Sequence, residues 1–152
     1  MDLTVTREID APAQRVWDIV TDLQASPEVL SGVDRVERLD GGDAFEVGTR
    51  WRETRTMFGR QASEEMAVTA IQPPRSYTVE AGSGGTTYRS TIAVTPLGER
   101  RSRLTMGFAA QSTGIAGRVL AATVGRLFLG STRKALERDL EDIATAAEAG
   151  AG

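Results

Sequence analysis

Cysteine and histidine are both absent from the 152 residues. Without cysteine there are no disulfides, thiolate nucleophiles or thiolate metal sites. Without histidine the commonest metal ligand and the usual general base are gone, and with them every Ser-His-Asp or Cys-His constellation. Aromatic residues are scarce, at 5%. Long apolar runs are lacking too. The most apolar stretch, Ile115 to Leu129, contains Arg118 and Arg126, and at about 15 residues it falls short of the roughly 20 that a bilayer span requires. The first residues, Met1 to Arg7, do not have the charged-then-apolar layout of a secretory signal. Nor is there an excess of positive charge: the net charge is −3, which gives no electrostatic attraction to nucleic acid or anionic lipid. Together these absences lead us to expect a soluble, cytoplasmic chain with no cofactor, no metal, no nucleic-acid partner and no membrane span.

What is present is ordinary for a globular protein: 40% apolar and 26% charged residues. The length suits one domain, placed at residues 1–148, with an Ala/Gly-rich tail at 149–152 expected to be flexible and fraying expected from Ala144 onward. Leu3, Val5 and Ile9 alternate with polar residues, the signal of a strand with one buried face. Pro12 then suits the first turn of a helix that carries Val16, Trp17, Ile19, Val20 and Leu23. Ser26-Pro27 starts a second short helix. Six further strands follow, at about Val33–Leu39, Thr49–Met57, Arg60–Ile71, Tyr77–Ala81, Tyr88–Val94 and Leu104–Ala110, separated by Gly or Pro turns. From about Gly114 the period becomes helical, with Leu129, Leu136, Leu140, Ile143 and Ala147 on one face. Arg133 with Glu137, and Arg138 with Asp142, are spaced to pair along its exposed side. The order predicts an α+β fold: a seven-stranded curved antiparallel sheet around one long C-terminal helix, with two short helices after strand 1.

This order carries three local phrases: Ile9-Asp10-Ala11-Pro12-Ala13-Gln14-Arg15-Val16-Trp17, Gly48-Thr49-Arg50-Trp51-Arg52-Glu53, and Pro73-Pro74-Arg75. With them the chain resembles the START-like, or SRPBCC, helix-grip superfamily. Within that superfamily it is most similar to the polyketide cyclase/dehydrase family, over about Leu3 to Ile143. The resemblance implies a hydrophobic cavity between helix and sheet that takes a small apolar, lipid- or polyketide-like molecule. It implies no catalytic residue at a numbered position. Monomer and homodimer are both open.

A two-residue hairpin at Phe58-Gly59 would pair Trp51 with Met66, Glu53 with Glu64, Arg55 with Ala62, and Arg52 with Glu65. Trp51, Met66 and Val68 then share the buried face, and Arg52–Glu65 is an ion pair on the solvent side. Glu53, Arg55 and Glu64 fall on the buried face as well, where charges must be paired. A Glu53–Arg55–Glu64 cluster at the groove mouth would serve as a structural ion cluster, as a polar anchor for a ligand, or as an acid–base site. Tyr77, Tyr88, Ser90, Met106 and Phe108 continue the face as core or as cavity wall, and Leu120 and Val124 face them from the long helix. Gly117, Gly125 and Gly130 in that helix mark a loosely packed entry or a gate hinged at Gly114 to Gly117. Gly82-Ser83-Gly84-Gly85 lacks the Lys-Ser/Thr of a phosphate loop and reads as a hairpin loop. Three functions fit: ligand binding, a cyclase/aromatase-type lyase without a His base in which Arg55 and a Glu assist ring closure, and an interaction domain with a filled cavity.

Overall fold

The first strand, β1 (Asp2–Ile9), is buried where its sequence alternates, at Leu3, Val5 and Ile9. The fold is that of a computed structural model, which describes residues 2–57, 59–83, 86–112 and 115–149, with side chains described outside 57, 83, 86, 112 and 115–131. Two short helices come next, α1 (Ala13–Val20) and α2 (Ser26–Val29). Then come β2 (Val33–Arg38), β3 (Arg50–Met57), β4 (Arg60–Gln72), β5 (Ser76–Ser83), β6 (Thr86–Gly98) and β7 (Arg101–Ser112). The last element is α3 (Ile115–Ala149). No helix among the described residues is long and apolar enough to cross a membrane.

The strands form one antiparallel sheet in the order β1-β7-β6-β5-β4-β3-β2. Every step but one is a hairpin between neighbours in the chain. The exception is β1, which pairs with β7 and places its Val5 opposite Met106. Helices α1 and α2 therefore leave one edge of the sheet and return to the other at β2. This fold is the helix-grip arrangement: α3 lies over the inner face and packs on β1, β7, α1 and α2. Ile9, Val16, Val68, Val94 and Leu104 form the deepest core.

The β3–β4 hairpin has the register expected from its sequence, with Trp51 opposite Met66, Glu53 opposite Glu64 and Arg52 opposite Glu65. Gly59 sits in its turn at φ 74°, a conformation that L side chains rarely adopt. Arg52 pairs with Glu65 at 3.1 Å on the outer face. Two expectations for α3 need correction. The helix does not fray at Ala144: it runs to Ala149, and Ala144 and Ala147 are fully buried within the core. Its end is held from outside, since the Asp10 amide donates to Glu148 and Arg15 donates to the Ala146 carbonyl. Of the expected tail, Ala149 thus closes the helix and 150–152 lie outside the described residues. The second correction concerns Asp142, which accepts the Ser31 amide at 2.9 Å and the Ser31 hydroxyl at 2.8 Å in place of Arg138. The Arg133–Glu137 pair forms, at 4.0 Å.

Candidate ligand cavity

The inner face of the sheet, the α1–α2 segment and the second half of α3 line a half-open cavity of about 140 Å³. This is smaller than the several hundred Å³ usual for a small-molecule site, and near the roughly 150 Å³ of an apolar cavity that holds benzene. Leu23, Val29 and Leu30 of the α1–α2 segment line it, as do Leu136 and Ile143 of α3. Helical spacing marked Leu23, Leu136 and Ile143 as buried without showing how far they fill the space.

Of the residues expected to meet a ligand, seven line this cavity: Trp51, Glu53, Arg55, Met66, Tyr77, Ser90 and Met106. Tyr88, Phe108 and Glu64 do not. Tyr88 and Phe108 stack on one another at 5.8 Å, toward the other end of the same face. Tyr77 turns away from Tyr88 and donates its hydroxyl to the Val20 carbonyl at 3.0 Å, fastening α1 to β5. The side chains of Leu120 and Val124 lie outside the described residues, as does Gly114, where a hinge was expected.

The charged cluster is real but differently composed. Arg55 Nε donates to Glu53 Oε2 at 2.7 Å. Its second partner is Asp139 of α3, not Glu64: Nη1 and Nη2 reach Oδ1 and Oδ2 at 3.3 and 2.9 Å in a two-pronged pair. Glu64 stands opposite Glu53 across the hairpin, half-buried and outside the ion pairs. Hairpin register places Arg55 and Glu64 on one face but does not fix which carboxylate the long guanidinium reaches. A carboxylate from α3, almost fully buried at 5% exposure, wins. Its sequence signal was visible: Asp139 lies three residues after Leu136 and four before Ile143, an acid on the apolar stripe of the helix.

These groups perturb one another. Burial alone would lower the Arg55 guanidinium, but Asp139 and Glu53 more than offset it and hold it above its ordinary value. Burial raises Asp139, against the pull of Arg55, which is shared between two carboxylates. Burial and then the charge of Glu53 raise Glu64. Burial raises the Tyr77 phenol, with Glu53 and Asp139 adding to it, so that hydroxyl stays protonated as a donor. Against this charged end, the buried indole N–H of Trp51 has no hydrogen-bond partner among the described residues.

Sequence reasoning also missed Phe45, because it lies in the β2–β3 loop with no periodicity to mark it. Arg38 gathers that loop through Asp40 at 2.7 Å, and Thr49 accepts the Glu46 amide at 3.0 Å. Phe45 is thereby set against Tyr77 at 4.8 Å and Trp51 at 6.2 Å, backing two cavity walls.

Comparison with known proteins fits this geometry. The family model described as polyketide cyclase / dehydrase and lipid transport matches residues 1–148. No curated protein matches by sequence. Among solved structures, a protein from Thermus thermophilus is similar at TM-score 0.81, with 18% identity and 100% of both chains covered. The Zhui aromatase/cyclase of Streptomyces sp. R1128 is similar at TM-score 0.72 and 18% identity, over 97% of this chain and 93% of that one. Norcoclaurine synthase from Thalictrum flavum is similar at TM-score 0.73 and 19% identity, over 96% and 92%. Identities this low carry the fold alone; the match to the family model over nearly the whole chain shows that it belongs to the polyketide cyclase/dehydrase and lipid transport family.

Proposed function

We propose that this protein binds a small, largely apolar molecule in the cavity between its sheet and α3. The observation that carries the reading is the cavity itself: apolar walls such as Met66, Ile92 and Met106, with a few convergent polar groups at one end. That is the usual composition of a small-molecule site. The family description includes lipid transport, which supports carriage of an apolar compound. The volume suits one ring better than an extended acyl chain.

Catalysis on a poly-ketone in the same cavity is a second reading. It is favoured by Asp139, a cavity carboxyl whose proton affinity burial raises, and by the aromatase/cyclase among the structural neighbours. Turnover of a ketone substrate would separate it from simple binding.

Ser90 provides the direct test of occupancy. It lines the cavity from β6, between Val79 of β5 and Phe108 of β7. Ser90→Trp places an indole in the open space. Uptake of free indole, followed by saturation-transfer NMR, should be strong in the parent and lost in the variant, while the circular dichroism of the two stays the same. Equal uptake by parent and variant would sink the proposal.

A further inference from the structure

The polar end of the cavity is not neutral. Two carboxylates, Glu53 and Asp139, with side chains 10% and 7% exposed, face one guanidinium. One negative charge is left without a counter-ion. Among the described residues Arg55 is the only cation that lines the cavity. All three of its nitrogens are engaged, one with Glu53 and two with Asp139. Asp139 uses both of its oxygens on Arg55, but Glu53 uses only Oε2, so Oε1 is free to accept. Glu64, across the hairpin from Glu53, adds further negative potential. Buried charge of one sign is costly unless something of the other sign reaches it. A carboxylate ligand would find no free cation there and would be repelled. An ammonium would supply the missing charge and donate to Glu53.

Resting on the ligand-binding reading above, we infer that the cavity selects a small ring-bearing amine, and that it rejects carboxylates, fatty acids included. The ammonium sits at Glu53.

The test uses three compounds with one phenyl ring, titrated into the intact protein near neutral pH and low salt: 2-phenylethylamine, 2-phenylethanol and phenylacetate. Affinity should fall in that order, with the first at least about tenfold tighter than phenylacetate, since opposite and like charge at a desolvated site differ by more than this. Added salt should narrow the gap. Glu53→Gln keeps an acceptor for Arg55 and removes the excess charge, so amine and alcohol should then bind alike. Equal binding of all three compounds, tighter binding of phenylacetate, or an amine preference that survives Glu53→Gln would overturn the inference and leave the cavity as a ligand site. If none of the three binds while indole does, the inference likewise falls alone. If indole fails as well, both fall.

Discussion

Arg55→Met should cost about 3–5 kcal/mol of stability near pH 7, the usual loss when one partner of a buried ion pair is removed. The guanidinium is the single positive charge between Glu53 and Asp139, and it joins β3 to α3 across the cavity. Methionine fills much of the same volume, so the expected loss is electrostatic rather than a packing defect. Its pH dependence follows from the carboxyl groups left behind. Asp139 and Glu64 are already raised by burial, and Arg55 pulls both down. In the variant that pull is gone, so their folded values rise further above the ordinary 3.8 and 4.5. A carboxyl raised on folding contributes stability that is full below its unfolded value and lost as pH climbs through its folded value. The deficit of Arg55→Met should therefore be greatest near neutral pH and shrink toward about pH 5. Arg52→Met is the control. Its partners Glu65 and Glu37 are each 54% exposed, and such pairs are worth about 0–1 kcal/mol with little pH dependence of this kind. Urea unfolding of both variants from about pH 5 to 8 reads the difference. Parallel curves for the two would show that the Glu53–Arg55–Asp139 cluster is solvated and contributes nothing special.

That cluster also shows where the sequence was informative and where it stopped. Trp51 opposite Met66 was legible because the turn at Gly59 fixes the register of a short hairpin and a one-residue slip would turn Trp51 outward. The same register put Glu53 and Arg55 on the inner face, two residues apart, and they do pair. Asp139 stood out as an acid on an apolar stripe, but its pairing with Arg55 was out of reach: the two lie 84 residues apart, and no local periodicity says which turn of α3 crosses which strand. Ala144 misled for a related reason. Alanine reads as frayed surface when no neighbour is in view and as close contact when one is. Which of the two holds is set by tertiary packing, as is the cavity that Leu23, Leu30 and Leu136 line, and no one motif carries it.

Leu104→Ala and Met106→Ala, two residues apart on the same face of β7, should behave differently. Leu104 is fully buried at 0% exposure, paired opposite Val94 of β6, itself 1% exposed, within the core that includes Ile9 and Val16. Truncation there leaves a void that close-packed neighbours on every side cannot collapse into. Its cost should lie in the upper part of the roughly 2–5 kcal/mol seen for such changes. Met106 is 8% exposed and borders the cavity, so part of its surface already meets open space. Fewer contacts are forfeited, and the cost should fall near the lower end, about 2 kcal/mol. The functional consequences should run the other way. Met106→Ala joins the space it vacates to the existing cavity, so it should increase uptake of indole and admit the larger naphthalene, which the parent excludes. Leu104→Ala should leave uptake per folded molecule unchanged, because its void opens in packed core away from the ligand. Chemical denaturation gives the stabilities, and saturation-transfer NMR with indole and naphthalene gives the uptake. If Leu104→Ala alters uptake as much as Met106→Ala does, the space between sheet and α3 is one continuous void rather than a bounded pocket, and the residues assigned to its walls are wrong.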